Sequence, residues 1–204
     1  MTQHSLRILV VAAALGLGGC SLFPTRSPEI LIDHDFGPLH RHKTQALTGP
    51  VLLHAKSASW LAGTSIHYRL LYQDPTAIYV YANNRWAAPP ATLLKARIRW
   101  RLGMGPNVGA RPPGRLERLV LVISRFDQDF TTPHKAFARL TVWGRLYDVT
   151  SGALIATDLV DLRSPCAPNV GGAVTTLGAL ARTASADFAR LLQKQETSRP
   201  KAKD

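Results

Sequence analysis

Cysteine is nearly absent from this chain: Cys20 and Cys166 stand alone among 204 residues. A disulfide framework and a Cys-x-x-C metal or redox site are therefore excluded. Acidic residues are scarce, 13 against 25 lysines and arginines, which leaves a formal net charge of +12. Long apolar runs are also missing. The longest, Ile8 to Leu17, covers about ten residues, roughly half of what a membrane-spanning helix needs. No G-x-S-x-G elbow, H-E-x-x-H pair or P-loop occurs. Gly103-x-Gly105-x-x-x-Gly109 lacks the strand before it and the helix start after it that a nucleotide loop requires. Nothing in the sequence calls for a cofactor or an enzymatic role.

What is present begins at the N-terminus. Arg7, the apolar run and the small residues Gly18 and Gly19 form the three parts of an export signal, residues 1–19. Leu17-Gly18-Gly19-Cys20 resembles the bacterial lipobox, which implies a diacylglycerol thioether on Cys20, cleavage before it and acylation (palmitate) of the new amino group. Multiple acyl chains give stable anchoring where one chain would not. Ser21 in place of the aspartate that retains such proteins implies the outer membrane, with the domain on its periplasmic side. Once Cys20 carries lipid, Cys166 has no disulfide partner and reads as a packing residue. In that compartment the basic surface meets anionic head groups or acidic proteins, and nucleic acid is not expected.

Residues 20–49 carry prolines, glycines and polar residues with little period and read as a tether, apart from a short strand near Glu29 to Ile32. His34, Asp35, His40 and His42 lie in this segment without a recognised metal-ligand spacing, so no metal is expected. One domain, residues 50–193, follows, and residues 194–204 form a polar tail. Val51 to Ala55 is a strand candidate. Ile66 to Leu71 and Ala77 to Tyr81 form a hairpin or adjacent strands around Gln73-Asp74-Pro75-Thr76. Pro89-Pro90 opens a helix to about Leu102. Its first apolar stripe is Leu94, Ile98 and Leu102, and a second is Leu93, Ala96 and Trp100.

A glycine- and proline-rich loop at 103–114 leads to Leu119–Phe130 and Ala136–Val149, and Ser151-Gly152 turns into Ala153–Arg163, a predicted meander. Strict alternation puts Ala136, Ala138, Leu140, Val142, Gly144 and Leu146 on one face of the second strand. Phe137, Arg139, Thr141, Trp143, Arg145 and Tyr147 occupy the other. Asp127 and Asp129 share a strand face, where a carboxylate pair is expected to meet water. Leu177, Ala181, Ala184, Phe188, Leu191 and Leu192 then mark an amphipathic helix from Val174 to about Gln193.

The stretch IHYRLLYQDPTAIYVYANNRWAAPPATLL, residues 66–94, resembles the ABC-type transport auxiliary lipoprotein family. In that family a Y-R segment precedes Y-x-x-x-R-W-x-x-P-P and a leucine-rich helix. The matching positions are Tyr68, Arg69, Tyr81, Arg85, Trp86, Pro89 and Pro90. The resemblance implies an α+β single domain, a mostly antiparallel sheet packed against two helices, working without catalysis beside MCE-type proteins that move lipid across the envelope. Arg85, Trp86, Pro89 and Pro90 are expected to fix the strand-to-helix corner, with Trp86 buried. Trp100 together with Phe137, Arg139, Trp143, Arg145 and Tyr147 is the expected surface for self-association and for the MCE-type partner. The other open reading is a lipoprotein that itself binds lipid or an envelope polymer, which would need an apolar cavity of several hundred Å³.

Overall fold

A computed structural model describes residues 30–39, 47, 49–104 and 115–198. The export signal, Cys20, His40, His42, most of the glycine-rich loop and the end of the basic tail lie outside the described residues. The architecture of Leu31–Asp204, one unit, is β1 (Ile32–His34), β2 (Val51–Ser57), β3 (Ser65–Leu70), β4 (Tyr79–Trp86), α1 (Pro90–Arg101), β5 (Glu117–Thr132), β6 (Lys135–Asp148), β7 (Leu154–Cys166) and α2 (Val170–Thr197). A 3-10 turn at Ser59–Leu61 joins β2 to β3.

The strands form one sheet in the order β1-β4-β3-β5-β6-β7. β5 is long enough to take two neighbours on one side: β2 runs parallel to its first half and β3 parallel to its second. Most of the ladder is antiparallel, in the β5-β6-β7 meander and the β3-β4 hairpin. This is the expected α+β domain with a mostly antiparallel sheet on two helices.

Both helices pack on the same side of the sheet. The alternating row Ala136, Ala138, Leu140, Val142 and Leu146 of β6 is buried beneath them, as are Leu119, Leu121 and Ile123 of β5. α1 contributes Leu94 and Ile98, and α2 contributes Leu177, Ala181, Ala184, Phe188 and Leu192. Phe188 presses so closely on Gly144 that a Cβ there would stand 2.3 Å from its ring. Residues of this size, each worth about 1.5–3 kcal/mol when fully buried, fill the interface between layers. α2 starts four residues before the expected Val174. Asn169 caps it by accepting from the Gly172 N–H at 2.8 Å, and the pair Gly171-Gly172 hides that start from a propensity reading.

The largest departure from the sequence reading is in the expected tether. The early strand is Ile32–His34, parallel to β4 and aligned Ile32 to Asn84 and His34 to Trp86. Phe36 then enters the core, its ring centroid 5.4 Å from that of Trp86 and 5.3 Å from that of Phe126. The buried Arg97 guanidinium of α1 donates to the carbonyls of Phe36 and Gly37, both at 2.7 Å. On the other flank α2 passes at Gly178, where a Cβ would lie 3.3 Å from the Phe36 carbonyl oxygen.

Candidate functional site

The face of the sheet away from the helices carries most of the expected site residues, and a bulge divides it in two. Along β5 the odd-numbered Leu119, Leu121 and Ile123 face the helices until the register slips between Ile123 and Arg125. An extra residue flips the side-chain phase of everything beyond it. Phe126, Gln128 and Phe130 now face inward, while Arg125, Asp127 and Asp129 face out.

The half beyond the bulge is sealed by ion pairs. Asp127 accepts from Arg69 Nε at 2.9 Å and from Arg125 Nε at 3.0 Å, and Arg125 also reaches Asp129 at 2.7 Å. The Arg69 guanidinium lies 5.3 Å over the Trp60 ring, whose edge meets His67. Both carboxylates are buried, 0% and 3% exposed, so the expectation that they meet water is corrected. Three neighbouring strands and the stems of the arginines cover them. Burial, reinforced by the Asp127 charge, pushes the Asp129 carboxyl above its ordinary value, and Arg125 opposes that shift. Burial also holds His67 below the usual histidine value, with Asp127 pulling the other way. Across β6, Arg139 pairs with Asp161 at 3.2 Å, and Thr141 donates to the same carboxylate at 2.7 Å. Arg163 lies 3.6 Å over the ring of Phe137. Phe137 and Arg139 are thus engaged within the chain.

The half before the bulge is open. Val122, Trp143 and Leu159 stand side by side in register, with Trp143 and Leu159 at 44% and 46% exposure, and Val120 and Leu52 follow on the same face in the next rows toward the start of β5. His54, Lys56, Arg118 and Arg145 interleave with them on the same side. Tyr147 lies beneath Arg118, 5.5 Å from ring to guanidinium. Trp100 does not join this surface. Its helix belongs to the layer on the opposite side of the sheet, so the two parts expected to act together are separated by the sheet itself. The sequence showed the β6 row but missed Leu52, Val122 and Leu159, whose neighbours come from pairing across strands.

The motif residues divide likewise. Trp86 is buried and Pro90 opens α1 behind Pro89. Arg85 is exposed and pairs with Asp33 at 2.6 Å, tying β4 to β1. Tyr68 packs on Tyr79 and Tyr81 at 5.3 and 4.7 Å. The Tyr81 hydroxyl donates to Gln128, which in turn donates to the Ala167 carbonyl at 2.8 Å. Burial pushes the Tyr81 hydroxyl far above its ordinary pKa. It raises the Cys166 thiol as well, against a hydrogen bond from Gln128. That favours the neutral thiol and fits a packing role. His34 bonds to Asn84 at 2.8 Å and Asp35 accepts from Gly37. Among the described residues no cluster of His, Cys, Asp and Glu has the geometry of a metal site.

No family model matches the chain, and no curated protein matches it. Solved structures do. A Xanthomonas campestris protein of family DUF330 superposes with a TM-score of 0.61 at 13% identity, over 74% of this chain and 88% of its own. An uncharacterized protein superposes with a TM-score of 0.56 at 17% identity, over 74% of this chain and 96% of its own. This chain shares their fold. At these identities the likeness concerns the arrangement of strands and helices, and the reading of its surfaces rests on the residues described above.

Proposed function

We propose that the protein is a lipoprotein anchored through Cys20 to the periplasmic leaflet of the outer membrane. There it acts as a non-catalytic auxiliary component of an ABC/MCE-type lipid transport system, self-associating and docking an MCE-type partner. The observation that carries this reading is the open half of the outer sheet face, an apolar strip around Trp143 and Leu159 with basic side chains set among it. Tryptophan and arginine are enriched at the centres of protein interfaces. A carrier that encloses acyl chains is less well supported. The space between sheet and helices is filled by side chains such as Phe188 over Gly144. The cleft of about 540 Å³ beside β1 is lined by Asp33, His34, Asp35 and Arg182 as well as apolar groups.

Two variants test the proposal. Cys20→Ala is expected to leave the protein soluble or unprocessed, and a variant still in the outer-membrane fraction after a high-salt wash overturns the anchor. Trp143→Glu combined with Arg145→Glu is expected to keep the thermal midpoint while abolishing both self-association, read by light scattering, and binding to the purified MCE-type partner. A stable double variant that still assembles and still binds eliminates this surface.

A further inference from the structure

The end of the sheet that holds the β3-β4 turn gathers exposed apolar side chains outside the Trp143 strip. Tyr72, Ile78, Tyr79 and Val80 lie on or next to that turn, between 37% and 51% exposed. The turn is rigid. Asp74 turns its carboxylate back on the Thr76 N–H and hydroxyl at 2.8 and 2.6 Å, and Arg69 donates to the Pro75 carbonyl at 3.3 Å. The carboxylate of Asp74 is thereby hydrogen-bonded within the turn, and although Gln73, Asp74 and Thr76 are exposed at its apex, the residues flanking them are aromatic and aliphatic. β3 and β5 run parallel, so the β5-β6 turn with His134 and Lys135 lies at the same end and adds basic groups beside the tip.

Chain direction makes this end special. β1 is parallel to β4 and pairs with its last residues, Ile32 with Asn84 and His34 with Trp86, so the chain runs into β1 from the side on which the tip lies without reaching the tip itself. Leu31 and Ile32, where it enters, are themselves 46% and 48% exposed. Leu31 lies eleven residues beyond Cys20, a distance of at most about 40 Å of extended chain. Exposed tyrosines and aliphatics on a fixed tip suit the boundary between head groups and acyl chains, where amphipathic rings concentrate. Nearby basic side chains gain further from anionic lipid.

We infer that the β3-β4 tip is a membrane-contact site: Tyr72, Ile78, Tyr79 and Val80 sit in the head-group layer of the bilayer that holds the Cys20 lipid, which stands the domain end-on to that surface. The inference rests on the lipid-anchor reading of Cys20. It adds an orientation, since the open face around Trp143 then runs along the membrane normal and stays free for a protein partner.

The test uses the full lipidated chain in vesicles of phosphatidylethanolamine and phosphatidylglycerol. With Cys166→Ala as background, a polarity-sensitive dye is placed by Ile78→Cys at the tip or by Leu154→Cys at the opposite end of the sheet. The mass of the mature chain reports the lipid on Cys20 first, and a chain without it overturns the anchor and this inference together. With the lipid present, the tip dye is expected to shift to the blue. Nitroxide lipids should then quench it several-fold more than the Leu154→Cys dye, and adding Tyr79→Asp and Val80→Asp should abolish the difference. A tip as accessible to aqueous iodide as the far end overturns this inference alone. Protection that scales with protein density and ignores nitroxide lipids also overturns it, because the tip would then be meeting a second copy.

Discussion

Replacing Trp86 with alanine is expected to lower the stability of the domain by about 3–5 kcal/mol, the usual cost of deleting a fully buried large ring. The ring is 1% exposed, meets Phe36 edge-on and lies 5.3 Å from Phe126. Its backbone N–H also closes the β4 corner by donating to Thr64 at 2.7 Å. Three chain segments far apart in sequence converge on this side chain, so its removal leaves a cavity they cannot collapse to fill. Against a typical domain stability of about 5–15 kcal/mol, the loss should be plain as a fall in the urea midpoint at unchanged slope. Trp86→Phe should cost less. It keeps most of the ring contact and removes an indole N–H that has no hydrogen-bond partner, a group whose burial is itself unfavourable. An alanine variant with a normal midpoint that fails to bind its partner would instead make the corner a recognition site.

What the sequence revealed, and what it concealed, follows from the range of the interactions. β6 was legible because its inward face is apolar from Ala136 to Leu146, and a period of two needs no tertiary knowledge. The α1 start was legible because Pro89-Pro90 acts locally. β1 was placed two to three residues too early, at Glu29 to Ile32 in place of Ile32–His34, and Phe36 was read as tether, because a three-residue strand has no period to detect. Its partners, moreover, lie at Asn84, Trp86, Arg97 and Phe126. Asp127 and Asp129 were assigned to water because a carboxylate near a strand end usually is. Their burial depends on Arg69, which β3 brings alongside only through its parallel pairing with β5. The bulge at Ile123/Arg125 leaves no compositional mark, yet it decides which half of the outer face is sealed and which is open.

That division has a functional consequence. A uniformly apolar outer face on an exposed sheet invites indiscriminate association. Here ion pairs occupy the half nearest β3 and the 3-10 turn, and the apolar strip is confined to the half flanked by β2 and the start of β7. The surface that the proposal gives a partner is thus narrow and bordered by arginine and lysine, which would favour an acidic or mixed counterpart over a second wholly apolar face.

The sealed half gives the second large effect. Asp127→Ala is expected to cost about 3 kcal/mol or somewhat more, in the range found when one member of a buried ion pair is removed. Asp127 is 0% exposed and answers two guanidinium groups that are only 13% and 28% exposed, so its loss leaves positive charge poorly solvated between Trp60 and Asp129. The cost comes from the orphaned charge rather than from the worth of the pair. Replacing Asp127 with leucine and Arg69 with methionine together should therefore recover much of the loss. Asp127→Asn offers a readout that packing alone does not move. The Asp127 charge helps raise the Asp129 carboxyl above its ordinary 3.8, and a raised carboxyl pKa in the folded state removes stability as pH climbs from that value through the raised one. Without the charge, Asp129 should titrate lower, closer to 3.8 in a carboxyl NMR titration, and the fall in stability over that acid window should shrink. Unchanged stability in Asp127→Ala, with the Asp129 titration unmoved in Asp127→Asn, would show that the two carboxylates are hydrated and uncoupled, and that the sealed half of the face is not held shut by these ion pairs.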